Sequence, residues 1–119
     1  MKIALAQLNP RVADFAANLD KARGACAEAR RGGASLVVFP ECFLTGYPPR
    51  DLVDRFDFME DAVNAVKALA KEAKELAIVV GTPWPNPSTL GRRLINGAAL
   101  LRAGKVEAVY PKALLPQYD

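Results

Sequence analysis

The chain has 119 residues, 51% of them hydrophobic, which is enough for one modest domain with a core and argues against disorder. Its 16 basic and 13 acidic residues leave a net charge of +3, too slight and too scattered to indicate a nucleic-acid surface. With no histidine and two cysteines, Ser-His and Cys-His dyads and histidine-based zinc motifs are excluded, and no disulfide framework is indicated.

Ile3 to Leu8 is apolar apart from Gln7 and predicts a buried strand, broken by Asn9-Pro10. Asp14 or Asn18 is placed to cap the next helix, in which Leu19, Ala22, Cys26 and Ala29 share one face. Arg30-Arg31 suits the dipole at its end, and Gly32-Gly33 supplies the stop. Leu36 to Phe39 predicts a second buried strand; a strand–helix–strand unit makes these two strands parallel neighbours. The stretch from Glu41 to Asp57 is a long connection, of a length that usually serves function.

The next helix carries the apolar stripe Met59, Ala62, Val63, Val66, Leu69, Ala70, Ala73 and Leu76. Glu60, Asp61, Lys67, Lys71, Glu72, Lys74 and Glu75 fill its other side and read as a solvated face. Ala77 to Thr82 predicts a third strand, after which Pro83, Pro85 and Pro87 predict an irregular loop through Gly91. Ile95 to Arg102 and Lys105 to Tyr110 predict an antiparallel hairpin across the tight turn Ala103-Gly104. The order is that of an α/β fold with a mixed sheet, one unit spanning residues 1–119 without repeat or internal linker. No segment has the length and apolarity to span a bilayer, and the N-terminus lacks a secretory apolar region. Together with the sparse cysteines, this sets the expectation of a reduced, cytoplasmic setting with no membrane or nucleic-acid partner.

Two residues stand out for chemistry. Glu41 follows the apolar run Leu36-Val37-Val38-Phe39 and Pro40, and Gly46-Tyr47-Pro48-Pro49 comes after it. A carboxylate at the carboxyl end of a buried strand sits where open α/β sheets hold their ligands. Burial there raises a carboxyl pKa and suits the group to accept a proton. A surface loop glutamate is the plain alternative. Lys112 follows the fifth strand and Pro111, with Tyr118 a little further on. If the later strands lie beside the second, Lys112 meets Glu41 at one rim of the sheet, where an ammonium matches the carboxylate and stabilises a developing oxyanion. A solvated loop lysine is the alternative there. Cys26 reads as core; Cys42 adjoins Glu41, but successive residues of an extended segment point to opposite sides. No Gly-rich phosphate loop of the Walker or Rossmann type and no metal-type cluster occurs.

These elements resemble the nitrilase superfamily of carbon–nitrogen hydrolases. The likeness lies in the opening Lys2-Ile3-Ala4-Leu5-Ala6-Gln7-Leu8-Asn9-Pro10, in Gly33-Ala34, and in Val37-Val38-Phe39-Pro40-Glu41. It continues through Leu44-Thr45-Gly46-Tyr47-Pro48-Pro49 with Asp51-Leu52, then Gly81-Thr82-Pro83, Asn96-Gly97-Ala98-Ala99-Leu100 and Tyr110-Pro111-Lys112 through Leu115-Pro116-Gln117-Tyr118. The Gly-Tyr-Pro-Pro-x-Asp-Leu element is narrower and is most similar to the glutaminase domain of the glutamine-dependent NAD synthetase branch. The resemblance implies part of a four-layer α-β-β-α sandwich, with a mixed sheet and helices on one face. It implies a Glu-Lys-Cys triad, in which Glu41 is the general base and Lys112 holds the oxyanion, with Tyr47 and Tyr118 lining the glutamine site. The family's nucleophilic cysteine falls beyond Asp119, so this chain alone is expected to be inactive. ATP and magnesium are implied for a synthetase domain outside these residues, with no cofactor here. A partial sheet is expected to associate with itself or with the rest of the enzyme. A stand-alone amidase acting on another small amide and a non-catalytic interaction module are the alternatives.

Overall fold

In the computed structural model, residues 1–46, 56–85 and 94–111 are described. Among these residues five strands lie in the order β1-β2-β3-β4-β5. They are β1 (Ile3–Leu5), β2 (Leu36–Val38), β3 (Ala77–Pro85), β4 (Leu94–Arg102) and β5 (Lys105–Pro111), with α1 (Phe15–Arg31) and α2 (Phe56–Ala70) between the first three. The first three strands are parallel and the last two antiparallel. This is the mixed α/β sheet that the element order predicts.

Each helix begins and ends where local chemistry dictates. Asp14 caps α1, its carboxylate accepting from the Ala17 amide at 3.1 Å. The helix ends in a Schellman turn: Ala34 N–H donates to Ala29 and Gly33 N–H to Arg30, and Gly33 takes the left-handed conformation at φ 81°. Asn18, the other candidate cap, has a different task. It is fully buried and accepts from Arg11 N–H at 2.7 Å, while its amide donates to the carbonyls of Arg11 and Leu44 at 2.7 and 2.9 Å. One side chain thus ties the chain before α1 to the turn that follows β2.

Both helices cover the same face of the sheet. Ala22, Cys26 and Ala29 of α1 join Val66, Leu69 and Ala70 of α2 in one core with Val37, Ile78, Val80, Ala99 and Leu101. Phe15 and Phe58 meet at 5.3 Å between ring centroids and link the helices. At the hairpin turn, Ala103 and Gly104 both adopt positive φ, at 52° and 78°. Gly104 N–H donates to the Ala73 carbonyl at 2.7 Å, pinning the turn to the segment after α2.

Four local expectations need correction. β1 is confined to Ile3–Leu5, and Ile3 and Leu5 are 51% and 69% exposed, because it is an edge strand whose second face no described residue covers. α2 stops at Ala70; Ala73 and Leu76 are buried from the irregular stretch that follows, so the apolar stripe outlasts the helix. Glu72 is not part of a solvated face. It lies 3.7 Å from Arg23 and 3.5 Å from Arg30 across the α1 contact, and its carbonyl accepts from the Arg30 guanidinium. β3 runs through Pro83 to Pro85 rather than stopping at Thr82. Its odd-numbered residues face β2, as the bonds Ala77 N–H to Ser35 and Phe39 N–H to Val79 show. The missing amides of Pro83 and Pro85 therefore fall on the side where β2 has already ended, and the ladder to β4 loses nothing.

Replacing Asn18 with alanine strands the buried Leu44 carbonyl and removes the side-chain partner of the Arg11 amide, while the Arg11 carbonyl keeps the Asp14 N–H at 3.3 Å. The Asn18→Ala variant should lose about 2–4 kcal/mol of stability in urea unfolding, and a loss below roughly 0.5 kcal/mol contradicts the latch.

Candidate functional site

The parallel part of the sheet ends at Val38, and the chain then turns through residues 41–45. That turn packs inward: Phe43, Leu44 and Thr45 are essentially inaccessible, and Phe39 stacks on Phe43 at 5.3 Å. Thr45 closes the turn by donating its hydroxyl to the carbonyls of Cys42 and Gly46, at 3.2 and 2.7 Å. Glu41 is therefore carried on a well-anchored bend. β3 runs directly beneath it. A Cβ at Gly81 would lie 2.8 Å from the Glu41 Cα and 3.1 Å from the Cys42 nitrogen, so only glycine admits this approach.

Glu41 lines an open cavity of about 380 Å³ with Phe39, Asn96, Tyr110 and Pro111. The cavity floor is the sheet face opposite the helices, where Gly81 pairs with Ala98 and Ala98 with Tyr110. The Asn96 amide nitrogen donates to the Glu41 carboxylate, and the Asn96 oxygen sits 3.9 Å from the Cys42 sulfur. β5 delivers Pro111 to the same cavity, and Lys112 follows it in the chain. Lys112, Tyr47 and Tyr118 lie outside the described residues. Among the described residues no group of three or more His, Cys, Asp or Glu is placed to hold a metal ion. No helix there is long and apolar enough to cross a membrane.

Neither cysteine reads as the cavity's nucleophile, though the argument for Cys42 changes. Cys42 does not follow Glu41 in an extended segment. It occupies the bend at φ 53°, buried, with Asn96 bonded to both it and Glu41, and it is not among the cavity-lining residues. Cys26 is fully buried on α1. Burial pushes its thiol up to about 11; nearby Arg30 opposes this and Glu72 adds to it.

Asn96, Gly81 and Tyr110 were not singled out for the site from sequence. Asn96 carried a signal: asparagine is depleted inside strands, so one within β4 asks for a side-chain partner. Gly81 likewise sits inside a strand, where glycine marks close backbone approach.

Comparison with known proteins agrees with this architecture. Residues 2–118 match the carbon-nitrogen hydrolase family. The chain belongs to that family. It is 36% identical over 118 residues to the glutamine-dependent NAD(+) synthetase of Thermotoga maritima, a match covering 99% of this chain and 20% of the relative. Glutamine-dependent NAD+ synthetase from Acinetobacter baumannii, solved with adenosine diphosphate, superposes with a TM-score of 0.83 at 32% identity, covering 98% of this chain and 22% of that one. A variant of the Nesterenkonia sp. AN1 amidase superposes with a TM-score of 0.80 at 30% identity, covering 99% of this chain and 44% of that one. In that structure the acetamide moiety of fluoroacetamide is covalently attached to the active site cysteine. The chain thus spans about a fifth of the length of the curated relatives it matches.

Three outcomes follow. Gly81→Ala should force the Glu41 bend outward and cost about 1–3 kcal/mol, read by urea unfolding; wild-type stability contradicts the close approach. Cys26 should resist iodoacetamide at pH 8 in the folded protein and react on unfolding. Because its folded pKa is raised from 9.0, the unfolded state loses that proton first, so stability should fall from pH 9.0 through about 11 relative to Cys26→Ala.

Proposed function

We propose that this chain is part of a glutamine amidohydrolase domain that supplies ammonia for ATP-dependent NAD synthesis from nicotinic acid adenine dinucleotide. The observation that carries the reading is Glu41 at the end of β2, lining one cavity with the end of β5, in a chain of carbon-nitrogen hydrolase sequence. Similarity to the Thermotoga and Acinetobacter synthetases supports glutamine as the amide. ATP and magnesium belong to a synthetase domain outside these residues.

In this scheme Glu41 is the general base and Lys112 the cationic partner. Glu41 takes the proton of a thiol supplied from outside residues 1–119. The thiolate attacks the side-chain amide carbon, and the lysine ammonium offsets the negative charge of the tetrahedral oxygen. Glu41 returns the proton to the leaving nitrogen, the C–N bond breaks and ammonia departs. Water, deprotonated by the same carboxylate, then hydrolyses the thioester and releases glutamate. A carboxylate suits this role in a chain without histidine. Tyr47 and Tyr118 border the glutamine site.

The sheet face opposite the helices, with Ile3 and Leu5 of β1 and Tyr110 of β5 exposed, is where the rest of the enzyme or a second copy packs. A stand-alone amidase is the second reading, favoured by the likeness to the Nesterenkonia amidase.

In the full-length protein, Glu41→Gln should lower glutamine hydrolysis by at least about 10²-fold, measured as ammonia release; retained activity removes the base assignment. Turnover of simple aliphatic amides with none of glutamine favours the amidase reading. The 119-residue chain alone should self-associate at micromolar concentration, and a clean monomer by light scattering contradicts the docking face.

A further inference from the structure

The geometry points to Asn96 as the positioning residue of Glu41: its side-chain amide, held on a rigid strand, fixes the carboxylate in the orientation that faces the cavity. The inference deepens the amide-hydrolysing reading above and rests on it.

Three observations carry it. The first is polarity. A carboxylate accepts and a thiol donates. With Glu41 on one side and the Cys42 sulfur on the other, the Asn96 amide has one consistent orientation, nitrogen to Glu41 and oxygen to Cys42. The bond to Glu41 is therefore charge-assisted whenever the base is ionised and ready to act. The second is rigidity. Glu41 stands on a bend, but Asn96 belongs to β4, which is paired with β3 on one side and β5 on the other. The strand imposes its position on the bend, as a supporting group must. The third is placement. Asn96 is half-buried and lines the cavity together with Glu41, so it acts at the wall of the site rather than behind it.

An amide also holds the carboxylate without titrating, which the other groups nearby cannot do. Among the described residues, the titratable neighbours of this arrangement are Cys42 on the same bend and Tyr110 on β5. In the proposed scheme Lys112 neutralises charge and supports the oxyanion, whereas Asn96 sets direction. The two tasks are separable by experiment.

The test uses the full-length protein with L-glutamine as substrate and compares Asn96→Ala and Asn96→Asp with wild type. Asn96→Asp keeps the shape, removes the donor and adds a like charge, so its kcat reports even if the alanine variant folds poorly, while the pH limb is read on Asn96→Ala. Loss of a donor to a charged group predicts a fall in kcat of about 10- to 100-fold with KM changed less than about 3-fold. The acidic limb of the kcat/KM profile should move to higher pH in Asn96→Ala, since a carboxylate that loses an N–H donor holds its proton more tightly, and further still in Asn96→Asp, where the new carboxylate repels it. A purely structural role lowers the unfolding midpoint and leaves that limb where it is. Folded variants with wild-type kcat, or a folded Asn96→Ala with an unmoved acidic limb, overturn the inference. A wild-type protein that hydrolyses no amide overturns the parent reading and this inference with it, whereas an active wild type with unaffected variants overturns this inference alone.

Discussion

The site depends on the absence of a side chain at Gly81. β3 continues past the point where β2 stops, and at that point the bend bearing Glu41 settles onto its backbone, at a separation no Cβ tolerates. This contact brings a loop residue against the centre of the sheet. Once there, Glu41 is within reach of β4, and the hairpin geometry carries the end of β5 to the same place. The other local devices serve the same end: Asn18 ties the bend to the start of α1, and buried Phe43 and Leu44 anchor it in the core.

The sheet is asymmetric, and function follows from the asymmetry. One face is closed by two helices whose small residues, Ala22, Cys26, Ala29 and Ala70, allow close packing on Val37, Ile78 and Val80. The opposite face holds the cavity and the exposed apolar residues of β1. The Glu41 carboxylate therefore stands on the face that the two helices leave open. Such a face excludes water only when covered, and water exclusion is what makes a carboxylate and an ammonium effective around a developing oxyanion.

Much of this was legible in the residues, for identifiable reasons. The strand-Pro-Glu element, the Gly32-Gly33 stop and the Ala103-Gly104 turn rest on local backbone chemistry, and local chemistry survives into the fold. What escaped was non-local. The exposure of Ile3 and Leu5 depends on strand order, which periodicity does not encode. The prolines of β3 signal a break unless the side on which their amides would point is known. Glu72 resembles its charged neighbours until α1 places two arginines beside it. Asn96 shows its partner only when β4 is laid against the bend, since 55 residues separate it from Glu41.

The account turns on a base and a cation meeting in one cavity. Its most direct test is the separation of the Glu41 carboxylate and the Lys112 ammonium in a crystal structure of the full-length protein. The account predicts that they lie within about 6 Å, close enough for strong mutual stabilisation. A separation beyond roughly 10 Å, where an intervening electrolyte screens one charge from the other, contradicts it.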